Sequence, residues 1–447
     1  MDGMTIEKAA RACGGRICGS CERERELGAV VIDSREVGPG DLFVAYRGEK
    51  ADGHDYISAA LDRGAACCLA ERVPEGEERG VLLVDNVQTA LEKIASAYRE
   101  TLTLPIIGIT GSVGKTSAKE MISAVLSSRL KVLKTDKNLN NQIGVPMTLS
   151  RITREHEAAV IEMGISGFGQ MHELGRMVRP QIGVFTLIGH AHLEFLHDLD
   201  GVLRAKTEML EHMDADACVI MNGDDEKLRG FPCRQRKILF GLGADCDVRA
   251  ENITAFEDRT ACDIVSGARR LAVVIPAFGR PLVYAALEAA SVGFEMGLTD
   301  EEIVRGIAAF ETVGRRARLI RTEKLTLLDD CYNSNPDALA GGIDSLSELP
   351  GRRVCILGDM LEMGPEAPEL HRRGGAYARE KGVDRILCTG ELGRFYAEGA
   401  PEISRVFPDR AALIAALGEE IAAGDSVLVK ASRGAHFEEI SEALKQL

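Results

Sequence analysis

The sequence predicts an α/β protein built of three units. These are a small N-terminal α/β domain, a central P-loop domain whose parallel sheet is covered by helices, and a C-terminal doubly wound, Rossmann-like domain. Three observations predict it. The chain has 447 residues, too many for one ordinary core. Short apolar runs bounded by glycine and charge recur along its whole length, as strands do. Beyond residue 100 these runs alternate with helical stretches, the pattern of a parallel sheet buried on both faces.

The first unit, residues 1–100, carries "AVVIDSR", "DLFVAY", "AACCLAE" and "GVLLVDN" as strands, then a helix over 87–100. The second, residues 101–312, opens with the buried-strand pattern "LPIIGIT", a glycine-rich loop and a helix. Ala118, Met121, Ile122, Val125 and Leu126 fall on one face of that helix. Further strands are expected at "AAVIEMG", "IGVFTLIG" and "ACVIMNGDD". The third unit, residues 313–447, begins near "VGRRARLI" and places strands at "LTLLDDCY", "RRVCILGDM", "DRILCTG" and "DSVLVKAS".

Composition excludes several function classes. Trp is absent, aromatics make up 4%, and the net charge is -15, which disfavours a nucleic-acid surface of stacking rings and clustered cations. No apolar run reaches the roughly 18 residues of a membrane span. The start "MDGMTIEKAA" has neither a basic nor an apolar leader segment, so a cytoplasmic location is expected. The twelve cysteines then read as reduced thiols, and "CGGRICGSC" lacks a second pair at zinc spacing.

The stretch "ITGSVGKTSAKEM", residues 109–121, carries the chemistry. It departs from the usual G-x-x-x-x-G-K-[ST], because Ile109 stands where the first glycine belongs. It nevertheless lies between a strand and a helix. Backbone N–H groups from Gly111 through Ser112, Val113 and Gly114 to Lys115 would face phosphate oxygens at the helix N-terminus. Lys115 would neutralise the β- and γ-phosphates, and the Thr116 hydroxyl would hold Mg²⁺, with Ser117 closing the ATP loop. Glu162 ends an apolar strand and is suited to Mg²⁺. His192 and Asp330 also follow strand ends, where α/β sheets bind ligands. Arg35, with Ser34, suits a diphosphate through its planar fork. Asp52, Gly53 and His54 are candidates for the same site. Asn138, Asn140, Asn141 and Gln142 offer amides suited to a sugar.

The shortened loop "TGSVGKTS" resembles that of the Mur ligases, T-G-[TS]-x-G-K-[ST]. "TDKNLNNQIGVPMTL", "EMGISGFGQMHEL", "HAHLE", "AKTEML", "DDCYNSNPDAL", "LGDMLEMG" and "VLVKASRG" are similar to further segments of that family, in the same order. "DSREVGPGDLFVAYRGEKADGHDYI" resembles its UDP-binding domain. The resemblance implies an ATP-dependent amide ligase that uses Mg²⁺ and passes through an acyl phosphate. Among the family's branches it points to UDP-MurNAc-tripeptide and D-Ala-D-Ala as substrates, in peptidoglycan precursor synthesis by a monomer.

The same resemblance implies individual roles. Glu162 and His192 become metal ligands. Lys206, otherwise a solvated lysine by sequence, becomes a carbamylated residue that binds or orients the metal. Arg315 stabilises the transferred phosphoryl group, and Asp330, Tyr332, Asn333 and Asn335 face ATP. Ser166, in the "EMGISGFG" segment, joins the substrate set.

Departures accompany these matches. The family carries G-R-H-N-x-x-N, whose last Asn meets the adenine; here Pro281, Leu282 and Ala285 occupy those places. Leu187 replaces a usual Asn, and His190 a common Glu. Three alternatives remain at this stage: a Mur-type ligase with another amine acceptor, a folylpolyglutamate synthase-like enzyme, and a non-catalytic paralogue that binds the precursor.

Overall fold

Three sheets follow one another along the chain in the computed structural model, which describes residues 1–48 and 51–447. Glu49 and Lys50, part of the UDP-type segment quoted above, lie outside the described residues. The first sheet has five strands, in the order Arg16–Cys18, Val81–Leu83, Cys67–Ala70, Leu42–Val44 and Val30–Val31. The four apolar runs expected here are its parallel strands, and the expected helix is Val87–Glu100. The antiparallel edge strand Arg16–Cys18 and the helix Ile6–Cys13 were not expected. That helix carries local signals all the same. The Thr5 side chain accepts from the Lys8 N–H at its start, and Gly14 takes a left-handed φ of 74° at its end.

The central sheet has nine strands. It runs parallel from Val132–Lys134 through Ala158–Glu162, Ile106–Thr110, Ile182–Phe185, Cys218–Asn222 and Arg236–Gly241 to Val248–Ala255. Beyond this the parallel expectation needs a correction. Thr260–Ser266 and Arg269–Ile275 extend the sheet as antiparallel strands. Arg269–Ile275 alternates exposed and buried positions, the signature of an antiparallel edge with one face in water. Helix Lys115–Ser127 buries Ala118, Met121, Ile122, Val125 and Leu126 on the sheet, against helices Pro281–Glu295 and Asp300–Ala308. Each large apolar side chain removed from water there contributes about 1.5–3 kcal/mol.

The third sheet has six strands, in the order Arg318–Arg321, Thr326–Asp329, Ser426–Lys430, Arg353–Leu357, Arg385–Cys388 and Ser404–Val406. Only the first pair is antiparallel. The carboxyl ends of its central strands face those of the middle sheet across a cleft of about 1070 Å³. Parallel strands converge their carboxyl ends on one edge, so residues placed there meet a ligand. No helix among the described residues is long and apolar enough to cross a membrane.

Candidate active site

The glycine loop leaves the fully buried strand Ile106–Thr110 and enters helix Lys115–Ser127. Gly111 has φ 149° and Gly114 φ 90°. A Cβ at Gly111 would lie 1.9 Å from Thr186 Oγ1, so only glycine fits beside the neighbouring strand end. The loop is tied to that strand's continuation. Ser112 N–H donates to the Leu187 carbonyl at 2.8 Å, Ser112 Oγ donates to the Gly189 carbonyl at 2.9 Å, and Thr186 Oγ1 donates to the Val113 carbonyl. Lys115 Nζ folds back onto the Gly111 carbonyl at 2.6 Å. Burial pushes the Lys115 pKa down, Glu162 opposes the shift, and Arg316 adds to it. A cation held by one neutral carbonyl is primed to exchange it for phosphate oxygens.

Glu162 supplies the acidic pole. It is 1% exposed, yet it lines the cleft. Its carboxylate accepts from Thr116 Oγ1 at 3.0 Å and Asn140 Nδ2 at 2.8 Å, and Lys119 Nζ stands 3.9 Å away. A carboxylate and a hydroxyl meeting at a helix N-terminus are hard oxygen donors, and this pair fits Mg²⁺. His192 also lines the cleft, with φ 55° and Nδ1 2.5 Å from Glu362 Oε2 of the third unit. That hydrogen bond holds the Glu362 carboxyl below its ordinary range. Lys206 is buried in helix Leu199–Thr207, and burial, reinforced by the Lys115 charge, pushes its pKa well below the usual amine value. As an amine it does not fit a cation site. A neutral buried amine is, however, the species that adds to CO₂, and the resulting carbamate is anionic.

The opposite wall corrects one assignment. Arg315 does not line this cleft. Its guanidinium pairs with buried Asp329 at 3.0 Å and with Glu442 at 2.6 Å, in a separate surface depression. Arg316 lines the cleft and lies over the Tyr332 ring at 3.9 Å. The two arginines lie in a bend before strand Arg318–Arg321, and the second takes the cleft side. Asp330, Tyr332, Asn333 and Asn335 line the same wall. Lys430 Nζ binds Asp330 Oδ2 at 2.5 Å and the Asn333 carbonyl at 3.1 Å. Asn335 accepts from the Ala338 N–H, so its amide oxygen caps helix Pro336–Ser347.

Among the expected substrate residues, Asn138, Asn140, Asn141, Gln142 and Ser166 line the cleft, although Asn141 Oδ1 is taken by the Gly144 N–H. Ser34, Arg35, Asp52, Gly53 and His54 are not among its lining residues. Arg35 is exposed and paired with Asp33 at 2.7 Å. His54 is buried, with Nδ1 2.6 Å from Asp52, and its Nε2 accepts from the Glu71 N–H at 3.0 Å. Asp52 and His54 therefore brace their own turn, away from the cleft. Leu282 turns into the core, while Leu187, Pro281 and Ala285 line the cleft. Sequence reading missed Asn222, Asp224, Tyr284, Glu288, Arg316, Glu362 and Lys430 on the cleft. Asn222 and Asp224 carried a usable signal, since "IMNGDD" ends a strand as Glu162 does.

Known proteins agree with this arrangement. The family profile for the Mur ligase middle domain matches residues 109–293, that for the Mur ligase glutamate ligase domain residues 315–433, and that for the Mur ligase family catalytic domain residues 26–99. The chain is 34% identical to a UDP-N-acetylmuramoyl-tripeptide–D-alanyl-D-alanine ligase of Bacillus subtilis (strain 168), over 98% of both chains. The Escherichia coli (strain K12) protein of the same name is also 34% identical, over 100% of this chain and 99% of its own. A crystal structure of MurF from Acinetobacter baumannii superposes with a TM-score of 0.91 at 28% identity, covering 99% of each chain. The MurF ligase from Thermotoga maritima in complex with ADP gives 0.85 at 26% identity, over 94% of this chain and 97% of its own. The chain belongs to the Mur ligase family.

Proposed function

We propose that this protein is the ATP-dependent ligase that joins D-Ala-D-Ala to UDP-MurNAc-tripeptide in peptidoglycan precursor synthesis. One observation carries the reading. A phosphate loop with a half-buried lysine, and the Glu162 carboxylate to which Thr116 donates, face Arg316 and Lys430 across a single cleft. The full-length similarity to ligases of that name supports the substrate pair. Residues 1–100, 101–312 and 313–447 serve as precursor-binding, ATP-binding and closing domains of a cytoplasmic monomer.

The tripeptide carboxylate attacks the γ-phosphorus of ATP, and ADP leaves. The dipeptide amine then attacks the acyl carbon, the bond to phosphate breaks and phosphate leaves, and the nitrogen gives up a proton as the amide forms. Lys115 exchanges the Gly111 carbonyl for phosphate oxygens, and the loop N–H groups hold them in place. Arg316, presented by Tyr332, balances charge on the group in transfer. Asn138, Asn140 and Gln142 bind the muramyl portion, and the half-buried Ser34 and exposed Arg35 take the diphosphate. Thr116 and Glu162, with His192 and a carbamylated Lys206, would hold Mg²⁺, which supplies charge neutralisation when bound.

Phosphate release with purified precursor, ATP and Mg²⁺ tests the reading. Turnover is expected only when D-Ala-D-Ala is added, and other amines in a panel should support far less. Precursor binding without turnover would exclude it.

A further inference from the structure

Glu288 is the one acid in the apolar helix stretch from Pro281 to Ser291. It is 3% exposed, yet it lines the cleft. Pro281, Tyr284, Ala285 and Glu288 form a single stripe at spacings of three and four residues, all on the cleft wall. Other polar groups on this wall have partners. Tyr284 Oη donates to Asp224 Oδ2 at 3.0 Å, and Arg280 reaches Glu348 at 3.8 Å. Among the described residues Glu288 has no such partner, and burial alone raises its pKa well above the usual carboxylate value. An unpartnered buried carboxyl costs stability, so a ligand is the natural place for its hydrogen bonds.

We infer that Glu288 reads the amino-bearing edge of the purine base of the nucleotide, in place of the amide that Mur ligases carry at the position of Ala285. This rests on the ligase reading above. Helical side chains lean toward the N-terminus, so a residue covers the surface one turn before its own Cα. Three residues span about 4.5 Å of helix. The carboxyl of Glu288 therefore reaches back over the space that the small Ala285 leaves open. An un-ionised carboxyl offers one O–H donor and one carbonyl acceptor side by side, as a carboxamide does. It accepts from the 6-amino group of adenine and donates to the adjacent ring nitrogen.

A cycle between residue and ligand tests this by calorimetry. ADP and purine riboside diphosphate, which lacks the 6-amino group, are each titrated into the wild-type, Glu288→Gln and Glu288→Ala proteins. Wild type should bind ADP about tenfold more tightly than the amino-free analogue, and Glu288→Gln should retain most of that ratio. In Glu288→Ala the ratio should fall to near one, with melting temperature unchanged or raised because a buried acid is gone. An unchanged ratio in folded Glu288→Ala would overturn the assignment and leave the ligase reading intact. Failure of the wild-type protein to bind ADP would overturn both.

Discussion

Arg315 and Arg316 are neighbours with different work. Arg315 neutralises Asp329, which is 1% exposed, while Arg316 stacks on Tyr332 at the cleft. Removing one partner of a buried pair strands the other charge. Arg315→Ala should therefore lower the melting temperature, with a loss of about 3 kcal/mol by denaturant titration, and leave kcat of the surviving folded enzyme near wild type. Arg316→Ala should do the opposite, cutting kcat by about 10²–10³-fold at unchanged stability. Lys115→Ala should abolish phosphate release while circular dichroism remains that of the folded protein. Lys206 has its own test. Labelled bicarbonate should give a carbamate carbon signal by NMR that vanishes in Lys206→Ala, and a wild-type protein without that signal would refute the carbamate.

At the level of elements, the loop between Thr110 and Lys115 depends on close approach to Thr186. Gly111→Ala forces the loop or that strand end to move and should weaken ATP binding by at least tenfold, measured by calorimetry. The turn Gly53–Tyr56 offers a pH prediction. Hydrogen bonds from the His54 N–H and ring hold the Asp52 pKa down to about 2. A depressed carboxylate stabilises the fold above its unfolded pKa near 4 and loses that contribution as pH falls toward 2. Melting temperature should therefore fall more steeply between pH 5 and pH 2.5 in wild type than in Asp52→Asn. The loop and its helix were legible from sequence because a strand, two glycines, a lysine and an amphipathic stripe all agree locally. The antiparallel extension 260–275 was not, because its alternating pattern has no motif to announce which sheet it joins. The arginine facing the cleft was not legible either. The two arginines sit side by side in a bend that no local pattern orients, and Asp329 claims Arg315 through a contact that only the fold creates.

One buried apolar cluster runs from the central domain, at Phe278, into the third, at Leu339 and Ile343, and polar contacts join the two domains as well. His192 bonds Glu362 at 2.5 Å, Glu194 N–H donates to the Glu362 carbonyl at 3.1 Å, and His190 N–H donates to Asp337 at 2.6 Å. Polar contacts of this kind can break and re-form as domains open and close around substrate. Glu362→Ala should raise KM for the precursor several-fold, with a larger radius of gyration by small-angle scattering. The order of the three units followed from strand ends and motif order, and the meeting of the last two over ATP from the family resemblance. The closing contacts did not, since each joins residues well over a hundred positions apart. The central claim is that ATP makes the tripeptide carboxyl an acyl phosphate in this cleft. It is tested most directly with precursor carrying ¹⁸O in that carboxyl, under turnover with ATP, Mg²⁺ and D-Ala-D-Ala. The account predicts one labelled oxygen in each phosphate released; unlabelled phosphate, with amide formed, would contradict it.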